Sequence, residues 1–153
     1  MNSQIKTGDR LVNAERFNCT ELTGLTVENC YGLYAADDPQ ELIFLIIKLR
    51  EQTLWQRFFL DAGIGFWEVW DEATVTDDMA DHVVVDIGQQ YALPGREVSR
   101  IVCAPEPDEQ GAAAIWFDVG GVCFKMSFMD ALNDDTSTQI ESVHREDLPL
   151  AKS

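Results

Sequence analysis

Asp77, Asp78, Asp81 and His82 form the densest group of metal-ligand side-chain types in this chain. On a helix, Asp78 and His82 would stand at i and i+4, on one face. The same spacing fits a solvated acidic turn, with Asp77 or Asp78 capping a helical turn, and the sequence favours that simpler reading. The other acidic run, Asn133-Asp134-Asp135-Thr136-Ser137-Thr138, does not make a calcium loop. Its sixth position is not glycine and its twelfth is His144, where a bidentate acid is needed. No metal site is expected.

Nucleophilic catalysis needs a base beside the nucleophile. The chain has two histidines, His82 and His144. It has no Gly-x-Ser-x-Gly elbow, no Cys-His signature, and neither a dinucleotide nor a Walker glycine pattern. Pairing Ser99 or Cys103 with His82 has no motif behind it. The expectation is a protein that is not an enzyme and takes no cofactor.

Tryptophan and carboxylate give the more specific pattern. Trp55, Trp67 and Trp70 fall within sixteen residues, beside Glu68, Asp71 and Glu72. Large aromatics in strands usually pack in a core. Next to carboxylates they also suit a surface that receives arginine, which stacks on rings and pairs with carboxylates in a bidentate way. If Trp67 is buried, alternation turns Glu68 and Trp70 outward together. The segment Glu68–Asp81 holds six carboxylates in fourteen residues. The candidate partner-binding set is therefore Glu68, Trp70, Asp71, Glu72, Asp77, Asp78 and Asp81.

The charge of the whole chain points the same way. It carries 27 acidic against 11 basic residues, a net charge of −16. Residues 1–60 hold eight acids and six bases, and residues 61–153 hold nineteen and five. Nucleic acid and anionic membranes bring negative charge of their own and are poor partners for such a field. Arg96 and Arg100 with the scattered Lys48, Arg50 and Arg57 make no phosphate-binding stripe. Basic proteins and cations are the natural counterparts, although acidity can also serve solubility alone.

A length of 153 residues suits one core. Residues 1–8 read as a flexible start, 9–132 as one globular β-rich domain, and 133–153 as a polar, partly docked tail. No apolar leader opens the chain, and the longest apolar run, Leu42–Ile47, is too short to span a membrane. Cys19, Cys30, Cys103 and Cys123 show no C-x-x-C pairing and read as buried, reduced thiols in a cytoplasmic protein.

The positioning elements are strands. Ile115–Val119 and Val122–Phe128 flank Gly120-Gly121, the composition of a two-residue primed turn. Counting from that turn pairs Val119 with Val122, Phe117 with Phe124 and Ile115 with Met126 on one face. Trp116 then faces Lys125 and Asp118 faces Cys123 on the other. A second hairpin runs from Leu54 to Trp70 around Asp61-Ala62-Gly63. Further strands are expected at Leu11–Phe17, Leu25–Tyr34, Leu42–Leu49, Val83–Ile87 and Val98–Cys103. The predicted fold is mainly β, an antiparallel sandwich or open barrel with one or two short helices. The competing reading starts a helix at Asp38-Pro39 and runs it over 39–62, giving α+β. Ile43, Ile46 and Ile47 leave that helix apolar on every side, which favours strands.

Small size, strong acidity and absent catalytic groups together predict an acidic binding protein that neutralises a basic protein partner, with a monomer favoured. In general character this is similar to a bacterial immunity protein that blocks a cationic toxin such as a nuclease. The alternatives are a nucleic-acid mimic that inhibits a DNA-processing protein and a small-molecule-binding β-barrel. A cavity lined by Trp and Phe would favour the last, and a solid core with an acidic face the first.

Overall fold

The computed structural model describes residues 10–61, 64–105, 113–130 and 136–149. The expected flexible start at 1–8, the tip Ala62-Gly63 and the run Asn133–Asp135 lie outside the described residues. The chain forms two antiparallel sheets and two short helices, a β-sandwich with no closed barrel. The first sheet is built from β1 (Arg10–Ala14), β3 (Val27–Ala35), β4 (Asp38–Leu49), β5 (Trp55–Asp61), β6 (Ile64–Trp70) and β7 (Val83–Asp86). Its order is β1-β6-β5-β4-β3-β7. The second sheet has the order β11-β10-β9-β8-β2, with β2 (Phe17–Asn18), β8 (Val98–Pro105), β9 (Ala113–Val119), β10 (Val122–Asp130) and β11 (Thr136–Ser142). Helices α1 (Glu72–Ala80) and α2 (Ile87–Tyr91) flank β7 in the chain.

Residues 38–49 are a strand, not the start of a helix. β4 is apolar on both faces because both are covered. Leu45, Ile47 and Leu49 join the core between the sheets, while Ile46 packs on the opposite side with Leu33, Trp55 and Val75. An isoleucine-rich run of this kind would leave a helix nowhere to expose a polar face, whereas a doubly covered strand needs none.

Gly120 and Gly121 both have positive φ, +58° and +94°, as a primed hairpin turn requires. The register follows from it: Val119 faces Val122, Phe117 faces Phe124, Ile115 faces Met126 and Trp116 faces Lys125. Phe117 stacks on Phe124 at 4.8 Å and meets Phe58 of the other sheet edge-on at 5.4 Å. Trp67 stacks on Phe58 in turn, which makes a continuous aromatic column between the sheets. The sheets approach closely at Gly65, where an added Cβ would lie 2.6 Å from the Cys103 sulfur.

The outer faces are covered too. α1 lies over the first sheet with Val75 and Met79 turned inward. On the second sheet Leu148 packs on Val102, Ala114, Trp116 and Cys123. Within the expected tail at 133–153, the described residues 136–149 form a strand and a 3₁₀ turn. β11 pairs with β10 from Thr136 to Ser142, and residues 145–147 form a 3₁₀ turn that brings Leu148 down. The face of β9 opposite the core is also buried. Asp118 is 5% exposed, accepts from the Gly121 amide at 3.0 Å and takes a 3.1 Å bond from Arg145 Nε.

Phe117→Ala should therefore destabilise the domain by about 3–5 kcal/mol, the usual cost of truncating a large core aromatic. Asp118→Ala should cost about 1–3 kcal/mol, because it removes the buried carboxylate to which the Gly121 amide and Arg145 both donate. Urea unfolding of both variants checks this. Equal losses, or a silent Asp118→Ala, would contradict the arrangement of the hairpin.

Candidate functional site

α1 starts where it does because Asp71 caps it. The Asp71 carboxylate accepts from the Thr74 amide at 2.9 Å, and that bond holds its pKa below the ordinary aspartate range. The cap is thus Asp71, six residues before Asp77 and seven before Asp78, the capping positions expected from sequence, both of which lie inside the helix. Val75 and Met79, four apart, form the inward stripe. The outward side carries Glu72, Ala73, Thr76, Asp77, Ala80 and Asp81, all exposed.

Glu68 and Trp70 share one face of β6, as alternation requires, but that face is not exposed. Glu68 is 4% exposed. It accepts from Arg57 Nη2 at 2.5 Å and from Trp70 Nε1 at 3.1 Å. Arg57 lies between two rings, 4.3 Å from the Phe44 centroid and 4.2 Å from that of Trp70. Its Nη1 sits 3.5 Å from Asp78 on α1. The aromatic and carboxylate groups therefore do form an arginine-binding cage, and the chain fills it with its own Arg57. Glu68 and Trp70 leave the partner-binding set for that reason. Asp78 is half-buried and committed to the same cation. His82 joins the rim, with Nδ1 2.6 Å from the Asp78 carbonyl and its ring edge-on to Phe44.

Arg57 was legible. The β5–β6 register places Arg57 opposite Glu68 and Trp55 opposite Trp70, pairings that follow from counting about Ala62-Gly63. Its solitary position among scattered bases hides that role. Trp55 Nε1 donates to Glu72 at 2.8 Å and ties the first turn of α1 to the sheet.

The face that remains available is acidic. Glu72, Asp77 and Asp81 stand on α1, and the chain then runs into β7, an edge strand of the first sheet. Val83 and Val84 there are exposed, 39% and 37%, and Asp86 follows. Among the described residues fifteen carboxylate side chains are exposed against three basic ones, Arg16, Arg50 and Arg145. The remaining described cations with placed side chains are engaged internally. Lys48 donates to the Leu49 and Gln52 carbonyls, Arg96 to those of Ala92 and Gly120, and Arg100 to that of Pro149. Lys125 pairs with Glu141 at 3.5 Å.

Among the described residues no three His, Cys, Asp or Glu side chains converge to hold an ion. All four cysteines are unbridged and buried. Burial pushes every one of their thiols up, Cys103 to about 12, and nearby Glu21 adds to the shift at Cys19. Thiolate is the reactive form, so burial disfavours reaction at these thiols. Among the described residues no helix is long and apolar enough to cross a membrane. Comparison of the chain with protein-family models, curated proteins and solved structures returned no match.

Two outcomes are expected. Arg57→Ala should cost about 3–5 kcal/mol, because it strands the buried Glu68 charge, whereas Arg57→Leu combined with Glu68→Leu should come close to neutral. Denaturant unfolding of the pair decides it, and a double variant as unstable as the single would remove the ion pair from the account. Native protein at pH 8 should resist alkylation at all four thiols and take up four labels once unfolded, read by intact-mass spectrometry. Rapid native labelling would contradict the burial of these thiols.

Proposed function

We propose that this chain is an acidic binding protein that neutralises a basic protein partner, in the manner of a bacterial immunity protein against a cationic toxin such as a nuclease. One observation carries the reading: the exposed charge is overwhelmingly carboxylate. Fifteen acids and three bases are exposed among the described residues, so a partner meets a surface on which five charges in six are negative. The core supports it as well. The centre of the space between the sheets is filled by the stacked Phe58, Trp67, Phe117 and Phe124.

The docking face on this reading is the outer side of α1 with the β7 edge beyond it. Glu72, Asp77 and Asp81 supply steering and pair with arginine or lysine, and Val83 and Val84 supply the apolar contact. Asp71 contributes by holding the helix start in place. Opposite fields accelerate encounter and salt screens them, so association with the partner is fast and falls as ionic strength rises.

The test is kinetic. With the partner identified by co-purification, Asp77→Lys combined with Asp81→Lys should slow association at least tenfold at low salt. It should change dissociation less, as rim charges do. Reversal of Glu141, on β11 of the other sheet, is the control and should matter little. Trp70→Ala should lower thermal stability and leave the dissociation rate near wild type, because the ring serves Arg57. Association rates that ignore both salt and the α1 reversals would overturn the proposal.

A further inference from the structure

Away from α1, the sandwich is open at one mouth. The β4–β5 loop faces the 3₁₀ turn Thr20–Leu22 there, and between them lies a cleft of about 300 Å³. Leu22, Leu54, Trp67 and Val69 give it apolar walls. The volume is at the lower end of small-molecule sites. Its floor is rigid. Trp67 Nε1 donates to Gln56 Oε1 at 2.7 Å, and Gln56 Nε2 donates to Gln52 Oε1 at 2.7 Å. Gln56 is 3% exposed, so this polar chain is a buried, fixed part of the wall. Trp67 is further held against Phe58 and Phe17. A pocket that is already ordered spares its ligand the cost of ordering it.

Only one lining side chain is ionisable, and it is Glu21 on the exposed 3₁₀ turn. No lysine, arginine or histidine lines the cleft. An apolar slot with a single carboxylate at its rim, in a chain of net charge −16, attracts cations and repels carboxylate ligands.

We propose that this cleft is a binding site for a small amphipathic amine, with its apolar body between Leu22, Leu54 and Trp67 and its ammonium at Glu21. The site is separate from α1 and does not depend on the reading of that face. The gain over an uncharged ligand of the same shape is modest, because Glu21 is open to water and its attraction is screened. Most of the affinity comes from burying the apolar body.

Three probes of similar shape decide it by protein-observed NMR titration: 2-phenylethylammonium, 2-phenylethanol and 3-phenylpropanoate. The ammonium should bind at least tenfold more tightly than the carboxylate, with saturable shifts at Leu22, Leu54 and the Trp67 indole N–H. The alcohol should fall between them. Glu21→Gln should bring ammonium and alcohol within twofold of each other. Leu54→Trp, at a half-buried loop position, should fill the slot and weaken all three probes at least tenfold. If that variant fails to fold, Glu21→Gln decides alone. Overturning results are equal affinity for ammonium and carboxylate, no saturation at millimolar probe, or shifts spread over α1 and β7 as general attraction to acidic surface would give.

Discussion

Both sheets carry apolar side chains on both faces, and most of the structure follows from having to cover the outer ones. In β4 the inward Leu45, Ile47 and Leu49 alternate with the outward Ile46. In β9 all seven residues are buried. A sandwich normally leaves its outer faces to water, with polar residues alternating outward. Here the outer faces need lids of their own. α1 supplies one through Val75 and Met79, and the segment after β11 supplies the other through Leu148. Neither lid is large, so each depends on specific polar ties to the sheet beneath.

Those ties are charged. Arg57 holds α1 through Asp78 while paired to Glu68 on its own sheet, and Arg145 holds the C-terminal segment to Asp118. A cation between two aromatic rings gains from both, up to about 2 kcal/mol where it is desolvated. Burying it still requires a counter-charge close by, and Glu68 meets that need. The two lids thus use one device, an arginine bonded to a carboxylate on a face that looks apolar in sequence.

The sheet was readable where turn chemistry fixes register. Gly120-Gly121 dictates every pair in its hairpin, and the pattern of Ile115, Phe117 and Val119 against Val122, Phe124 and Met126 agrees. Residues 42–49 were readable because a run apolar on every side suits a covered strand better than a helix, while Asp38-Pro39-Gln40-Glu41, which has the composition of a helix start, opens the same strand. What alternation cannot show is whether an outward face meets water. Glu68 and Trp70 do share a face, but the cover over it comes from a helix whose own sequence is mostly small and acidic. With two inward apolar residues on α1, periodicity gives little warning of a lid. β11 escaped for the opposite reason. Edge strands such as Thr136–Ser142 are polar on their open side, and composition alone cannot separate them from a tail. The cleft at Leu54 was hidden because its lining comes from three separate segments.

The acidic surface has a thermodynamic consequence that bears on the proposed function. Like charges on a folded surface repel, and compaction makes the repulsion worse. Among the described residues the exposed surface carries fifteen carboxylates against three bases. The fold therefore tolerates an electrostatic strain that a neutral surface would avoid. Solubility does not require so much, since a net charge of magnitude about 2–8 is enough for a small domain. A cationic partner removes the strain on binding, so part of the affinity would come from relief of repulsion within this chain, beyond the pairs formed across the interface. The exposed valines of β7 fit the same logic. An unguarded apolar edge invites strand pairing with other chains, and flanking carboxylates at Asp81 and Asp86 discourage copies of this acidic chain while leaving the edge open to a basic one.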